Sequence, residues 1–570
     1  MSHDRNKGIY QGRRVFMMLC MGLAAATLVW RAVCLQVLDK EFLLSQAEAR
    51  HLRVLTLTAH RGVIQDRNGE PLAVSTPVES VWVNPQELGG EQQRIPELAA
   101  LLSLDGGKVQ QLLARRADRE FVYLRRHLSP ALAAKVSALN IPGVYLQREY
   151  RRYYPGGEVA AHIVGFTNVD DMGQEGLELA YEDWLGGEPG AKRVIKDGKH
   201  HIIEDVESIR RPHPGKDLKL SIDRRIQYLA YRELKGVMKE HKARAASAVV
   251  LDVKSGEVLA MVNQPSFNPN NRQELRRSHM RNRAITDVFE PGSTMKPFIV
   301  ATALQSGRFQ PETPVSTSPG WYRVGVNTVR DVHDYGELDV SGVIRKSSNV
   351  GISKIALSLP AENIWTTLSD IGFGAQTYSG FPGEASGLLS YHGGWNEIET
   401  ATLAYGYGIS VTALQLAQAY GVLATDGMKR SVTFLREGDV SEERRVMPAE
   451  AARQVRAMLE QATGFDGTAP QARIAGYRVA GKTGTVKKSA PGGYSSNKYL
   501  AVFAGMAPAS DPRLVMVVMV DEPSNGKYYG GQVAAPVFSR VMSGALRLLA
   551  IPPDDLPLLE TRRSDEEEPA

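Results

Sequence analysis

The chain has 570 residues, of which 43% are hydrophobic and 23% are charged. These shares are typical of globular proteins, and the length allows several domains. The formal net charge of +5 is small for this length and argues against a nucleic-acid partner. The sequence has neither a Gly-rich phosphate-binding loop nor a Cys/His cluster, so we expect no cofactor and no metal.

The first forty residues predict a membrane anchor. Residues 15–30 form an uncharged run of apolar and small side chains, and residues 32–38 are again mostly apolar. A spanning helix needs about 20 apolar residues, and the guanidinium of Arg31 lies close enough to the end to reach the interface. By the positive-inside rule, the cations before the run predict a cytoplasmic tail at 1–14, an anchor at 15–37 and an external remainder. These cations are Arg5, Lys7, Arg13 and Arg14.

A cleaved signal peptide is the alternative interpretation of this segment, with residues 24–26 (Ala-Ala-Ala) as the cleavage site. The apolar residues continue to Trp30, which favours an uncleaved anchor. The sequence has two cysteines, Cys20 and Cys34, and both lie in or beside this segment. We therefore expect the external part to fold by its hydrophobic core, without disulfides.

Residues 50–215 predict a mixed domain without a catalytic motif, which we interpret as a pedestal or dimerisation domain. The pattern predicts a helix at 42–53, a strand at 52–59, a hairpin at Asn68–Gly69 and mostly helical structure at 90–145. The basic and aromatic block at 148–154 is interpreted as a solvated or inter-domain face.

Residues 216–552 predict an α+β domain. A long amphipathic helix at 221–242 precedes a hairpin of two apolar runs, 246–253 and 257–262. Three further strands are predicted at 478–486, 500–507 and 514–520, followed by a helix at 532–549. We therefore expect an antiparallel sheet of about five strands flanked by helices, with a helical lobe over 265–475. The charged tail at 553–570 is predicted to be disordered.

A tetrad in the predicted lobe suggests nucleophilic chemistry. Residues 293–296 read Ser-Thr-Met-Lys, and on a helix Ser293 and Lys296 point to one face. A serine hydroxyl needs a base to take its proton, so Lys296 would have to be neutral. Burial and a second cation, for which Lys482 is the candidate, both favour the neutral form.

Two later segments complete a site. Residues 347–349 read Ser-Ser-Asn, and we expect Ser347 and Asn349 to relay a proton and hold Lys296. Residues 482–485 read Lys-Thr-Gly-Thr and predict an edge strand that binds a substrate carboxylate through Lys482, Thr483 and Thr485. Gly484 would let the substrate backbone approach closely. The backbone N–H groups of Ser293 and Thr485 are candidates for an oxyanion hole.

The ordered set S-x-x-K, S-x-N and K-T-G resembles the signature of penicillin-binding proteins and serine β-lactamases. With the single anchor and the R-G-x-I-x-D-R-N-G box at 61–69, the chain resembles the class B penicillin-binding proteins. Residues 405–412 and 521–523 resemble the division-specific branch of this family in Gram-negative bacteria.

This resemblance implies a D,D-transpeptidase that cross-links peptidoglycan stem peptides at the septum through an acyl-serine intermediate on Ser293. It implies that β-lactams mimic the D-Ala-D-Ala end and acylate the same serine. It also implies a place in the inner membrane, with the catalytic domain in the periplasm, and a membrane-embedded division glycan polymerase as partner.

Three alternatives remain at this stage: a serine β-lactamase or β-lactam sensor, a D,D-carboxypeptidase, and a division scaffold with a vestigial site. A Glu-x-x-Leu-Asn element of the class A β-lactamase type is absent from the sequence, and the five intact motif residues argue against a vestigial site. The choice between an amine and water as acyl acceptor stays open. The Gly-, Ser- and Pro-containing stretch at 487–497 predicts a mobile loop beside the site.

Overall fold

The computed structural model describes residues 4–38, 40, 52–196, 202–271, 276–436, 443–490 and 492–556. The predicted helix at 42–53 falls largely outside these residues, and so do residues 557–570 of the predicted tail. The helices are α1 (Asp4–Val33), α2 (Ile95–Leu101), α3 (Gly106–Arg115), α4 (Pro130–Ala138), α5 (Ala161–Val164), α6 (Gly176–Ala180), α7 (Glu182–Leu185), α8 (Arg224–Glu240), α9 (Arg277–Met280), α10 (Arg283–Thr286), α11 (Lys296–Gln305), α12 (Val340–Lys346), α13 (Asn349–Leu357), α14 (Ala361–Ile371), α15 (Glu397–Ala404), α16 (Ala413–Ala424), α17 (Ala449–Thr463), α18 (Gly530–Val533) and α19 (Ala535–Leu548).

The strands are β1 (Leu52–Leu57), β2 (Ile64–Gln65), β3 (Pro71–Val83), β4 (Val122–Leu128), β5 (Val144–Tyr153), β6 (Phe166–Thr167), β7 (Gly173–Glu175), β8 (Gly190–Lys196), β9 (Ile202–Arg210), β10 (Leu218–Lys219), β11 (Ala245–Asp252), β12 (Val258–Gln264), β13 (Pro314–Ser316), β14 (Trp321–Val324), β15 (Asn327–Arg330), β16 (Glu337–Asp339), β17 (Met428–Arg430), β18 (Glu443–Arg445), β19 (Ala480–Ala490), β20 (Gly493–Ala507) and β21 (Leu514–Asp521).

Helix α1 is long and apolar enough to cross a membrane. Its apolar part, continued by a π-helical turn at Cys34–Leu38, runs from Arg13 to Gln36, with 24 residues and a mean hydropathy of 1.8. At 1.5 Å per residue this is about 36 Å, more than the roughly 30 Å of a bilayer core. The structure therefore contains the helix that the sequence predicts for an anchor.

The described residues form two compact units. The described residues within 1–60, 77–150 and 187–215 belong to the first, and those within 61–76, 151–186 and 216–570 belong to the second. In the first unit β1, β8 and β9 form a three-stranded antiparallel sheet. Helices α2, α3 and α4 pack with β4 around a separate apolar core. Strand β4 lies inside the stretch predicted as mostly helical. The predicted domain boundaries stay predictions.

The second unit is built on a five-stranded antiparallel sheet with the order β12-β11-β21-β20-β19. This confirms the predicted α+β class and sheet. Strands β11 and β21 are buried along their whole length, because helices cover both faces. Alternate residues of β11 and β21 pack on one side against α8 and α19, and on the other side against the helical lobe, including α11 and α16.

Strands β19 and β20 are longer than the sequence indicates. The predicted loop at 487–497 is instead largely strand, since β19 runs to Ala490 and β20 begins at Gly493. The two strands pair as far as Ser489 with Tyr494 and Ala490 with Gly493. Apolar alternation ends near Val486, so hydropathy gives no sign of this polar extension.

The R-G-x-I-x-D-R-N-G box contributes a buried ion-pair cluster to the second unit. Arg61 Nε lies 2.7 Å from Glu178 Oε2, and Arg152 Nε lies 2.7 Å from Glu178 Oε1. All three side chains are almost fully buried. In the predicted basic block, Arg152 is therefore internal. Glu149 is also buried, whereas Arg148 and Arg151 are exposed.

Candidate active site

A cavity of about 760 Å³ in the second unit brings the three sequence motifs together. Its lining includes Ser293, Ser347, Asn349, Thr483 and Thr485. Lys296 and Lys482 lie directly behind it with no exposed surface. Residues separated by almost two hundred positions in the chain thus converge on one space.

Ser293 lies in a 3₁₀ turn, Gly292–Met295, that leads into the buried helix α11. In a 3₁₀ turn side chains three residues apart are aligned, which places Ser293 and Lys296 on one face. Ser293 is half-buried at the cavity. Pro297 is tolerated because it lies in the first helical turn, as the sequence predicts. The hydroxyl of Tyr420 donates to Thr294 O at 3.0 Å and anchors the turn.

The turn also rests on a glycine of a distant segment. Gly406, at φ 84°, lies so close that a Cβ would come within 2.1 Å of Gly292 O. The backbone N–H of Gly292 donates to Gly406 O at 3.1 Å. The segment at 405–408 therefore supports the turn that carries Ser293, and only glycine permits this approach.

The amine of Lys296 is held by the Ser-Ser-Asn segment. Lys296 Nζ lies 2.5 Å from Ser347 O, 2.9 Å from Asn349 Oδ1 and 3.2 Å from Ser347 Oγ. Burial and the ammonium of Lys482 keep the pKa of Lys296 well below its usual value, and the carboxylate of Asp331 opposes this in part. Both causes of the lowered pKa are those expected from the sequence.

Ser347 connects the two lysines. Lys482 Nζ donates to Ser347 Oγ at 2.9 Å, and burial lowers the pKa of Lys482 to about 7. Ser347 ends α12 in a left-handed conformation, with φ 62° and ψ 39°. This backbone is unusual for a residue other than glycine, and it turns both the carbonyl and the hydroxyl of Ser347 toward Lys296.

The Lys-Thr-Gly-Thr segment lies on β19, at the edge of the sheet, as predicted. Thr483 and Thr485 line the cavity. A Cβ on Gly484 would lie 2.9 Å from Pro291 O and 3.2 Å from Thr294 Cγ2. The structure thus shows a second role for Gly484 that the sequence does not indicate. Its missing side chain lets β19 pack against the turn that carries Ser293.

Sequence reasoning missed several residues that position the site. Asp331 accepts hydrogen bonds from the segment at 348–350. Thr468 Oγ1 lies 3.1 Å from Thr483 Oγ1, and Gly530 N donates to Thr485 Oγ1 at 3.0 Å. These contacts join segments far apart in the chain, and no local pattern marks them.

Comparisons with known proteins agree with this geometry. Residues 246–543 match the family model described as "Penicillin binding protein transpeptidase domain". Residues 56–220 match the model described as "Penicillin-binding Protein dimerisation domain".

Several curated relatives match almost the whole chain. A Pseudomonas aeruginosa protein named "Probable peptidoglycan D,D-transpeptidase PbpC" is 43% identical over 534 residues, 94% of each chain. The peptidoglycan D,D-transpeptidase FtsI of Escherichia coli K12 is 44% identical over 542 residues, 94% of this chain and 92% of the relative. Among solved structures, the apo transpeptidase domain of Burkholderia pseudomallei penicillin-binding protein 3 is 44% identical, with a TM-score of 0.55. That match covers 59% of this chain and 98% of the other.

Proposed function

Because the chain belongs to the penicillin-binding protein family, we propose that it is a serine-type D,D-transpeptidase that cross-links peptidoglycan stem peptides. The observation that carries this proposal is the pair of buried lysines that meet at Ser347 Oγ behind Ser293. A buried amine with a lowered pKa, on the same face of a helical turn as a serine that lines a substrate-sized cavity, is suited to activate a nucleophile.

In the acylation step, Ser293 Oγ attacks the carbonyl of the penultimate D-alanine. The Ser293 proton passes to Lys296, a C–O ester bond forms, and the terminal D-alanine leaves as its C–N bond breaks. Ser347 O and Asn349 Oδ1 accept the two hydrogens of a neutral Lys296 amine, which leaves its lone pair for the incoming proton. The proton then returns through Ser347 Oγ to the nitrogen of the leaving group.

The edge strand β19 holds the substrate carboxylate. Thr485 Oγ1 accepts Gly530 N–H, and its own hydrogen has no acceptor among the described residues, so it is available to a ligand. Thr483 lines the cavity beside it, and the charge of the buried Lys482 directly behind the cavity attracts the carboxylate. The backbone N–H groups of Ser293 and Thr485 stabilise the oxyanion that forms during attack. β-Lactams carry an equivalent carboxylate and acylate Ser293 by the same route.

The acyl-enzyme is resolved by an amine from a neighbouring stem peptide. The anchor α1 and the cations before it support a cytoplasmic N-terminus and a periplasmic catalytic domain in the inner membrane. The similarity to FtsI supports a role in septal synthesis during cell division. A membrane-embedded glycan polymerase as partner stays a prediction from the family resemblance.

The test uses the full chain in detergent with a D-Ala-D-Ala pentapeptide donor and an amine acceptor, and it follows the products by mass spectrometry. We expect D-alanine release together with a cross-linked amide. The Ser293→Ala variant should form neither product while it keeps its melting temperature, and Ser306→Ala, at the other end of α11, should behave as wild type. Release of D-alanine with only the hydrolysed tetrapeptide would identify a carboxypeptidase instead.

A second measurement separates synthase from hydrolase. Intact-mass spectrometry of the penicillin adduct should show one acyl group on Ser293 that persists for many minutes. Loss of the adduct within seconds would indicate a β-lactamase.

A further inference from the structure

Asp331 follows strand β15 and lines the active-site cavity. Its Oδ2 accepts the hydroxyl of Ser348 at 2.5 Å, and its Oδ1 accepts the backbone N–H of Asn349 and, at 3.1 Å, that of Val350. One carboxylate therefore binds three consecutive residues at the start of α13. A carboxylate at this position also faces the positive end of the helix.

The residue before these three needs such support. Ser347 is left-handed, a conformation that is unfavourable for a residue with a side chain. On one side it is held by the end of α12, through Ser347 N–H to Ile344 O. On the other side Asp331 fixes Ser348 and Asn349. The position of Ser347 O and Asn349 Oδ1, and so of the Lys296 amine, depends on this clamp.

The carboxylate of Asp331 also affects Lys296 through its negative charge. Lys482 on β19 lowers the pKa of Lys296 through its positive charge. Asp331, in the segment after β15, has the opposite effect. On the other helices packed around α11, Lys354 of α13 donates to Ser316 O at 2.6 Å and Glu362 of α14 is exposed, and the remaining charged side chains are paired elsewhere. On α12 Arg345 and Lys346 both pair with Asp466, and on α14 Asp370 pairs with Arg444. On α17 Arg453 and Arg456 both pair with Asp426, and Glu460 pairs with Arg478.

We infer that Asp331 is a positioning residue of the acylation machinery. Its carboxylate clamps Ser348, Asn349 and Val350, so that the Ser-Ser-Asn segment holds Lys296, and its negative charge partly offsets the positive charge of Lys482. This inference rests on the proposed function, because it assumes that Lys296 takes the Ser293 proton.

The test is the pH profile of acylation by a fluorescent penicillin, measured on the full chain in detergent. Asp331→Asn retains Oδ1 for the two backbone N–H groups but removes the charge. Because a carboxylate favours the protonated form of a nearby amine, its loss lowers the pKa of Lys296. The acid limb of the profile should then move to lower pH by about one unit, with the maximum rate nearly unchanged. Asp331→Ala loses the clamp as well, and its maximum rate should fall at least about tenfold.

Asp339 provides the matched control. It caps the neighbouring helix α12 by accepting Gly342 N–H at 2.6 Å and does not contact the Ser-Ser-Asn segment among the described residues. Asp339→Asn should leave the acid limb in place. A melting curve of each variant separates loss of fold from loss of rate.

An Asp331→Asn profile that coincides with those of wild type and Asp339→Asn would overturn the role of the charge, and a normal rate in Asp331→Ala would overturn the clamp. Failure of the proposed function looks different. In that case wild type itself is not acylated on Ser293 or shows no acid limb, and the inference fails with it.

Discussion

Lys482 Nζ on the edge strand lies 2.9 Å from Ser347 Oγ in the helical lobe, although 135 positions separate the two residues. Through Ser347 the lysine of the third motif reaches the lysine of the first. The cation that lowers the pKa of Lys296 is thereby also a member of the hydrogen-bond chain that serves it.

Replacing Lys296 by alanine should slow acylation by penicillin about 10²–10⁴-fold, because removal of the base removes the acid–base contribution. Stopped-flow or gel labelling with a fluorescent penicillin measures the rate. Lys239→Ala, an exposed lysine on α8, is the control. A near-normal rate in Lys296→Ala would contradict the assigned role.

Lys482→Met should stabilise the protein at pH 6–7, and the gain should disappear toward pH 10. The folded pKa of Lys482 is about 7, below its usual value of 10.5, so between these values the unfolded chain binds more protons than the folded one. The free energy of unfolding of wild type therefore rises with pH across this window, by up to a few kcal/mol from this group.

Thermal unfolding of wild type and Lys482→Met at several pH values checks this prediction, with Lys239→Met as the exposed control. A difference in melting temperature that does not change between pH 7 and pH 10 would show that Lys482 keeps its ordinary pKa in the folded protein.

Gly406→Ala should lower both stability and acylation rate. The new Cβ would meet Gly292 O at 2.1 Å, and the φ of 84° is itself unfavourable for alanine, so the turn that carries Ser293 must shift. We expect at least a tenfold loss of rate. Gly236→Ala should change the stability in the opposite direction. Gly236 lies in α8, and nothing lies within 4 Å of a Cβ at this position, so alanine there should stabilise the protein by about 0.5–1 kcal/mol.

Glu178→Gln should destabilise the protein by about 3–5 kcal/mol, because it leaves the buried guanidinium groups of Arg61 and Arg152 without their shared carboxylate. Urea denaturation measures the change. Glu450→Gln removes a carboxylate that is 67% exposed from its pair with Arg453, and should cost less than about 1 kcal/mol. Equal effects of the two substitutions would contradict the buried-pair account.

The sequence predicted the anchor helix, the five-stranded sheet and the residues of the site, because each leaves a local pattern. Apolar runs about Ser255–Gly256 predicted β11 and β12, and Asp223 caps the predicted helix α8. The extension of β19 and β20 to residues 490 and 493 was not predicted, since polar residues pair there through their backbones alone. The catalytic roles stay predictions.

By itself, the sequence determined which chemical groups line the cavity or lie directly behind it, because the serine, lysine and threonine side chains lie in three short, ordered segments. Only the tertiary structure decided the burial, the hydrogen-bond partners and the pKa values of those groups. The burial of Lys296 and Lys482, the left-handed turn at Ser347 and the clamp by Asp331 arise from contacts between distant segments. Desolvation and hydrogen bonding depend on which segments pack together, and the spacing of residues along the chain does not encode that packing.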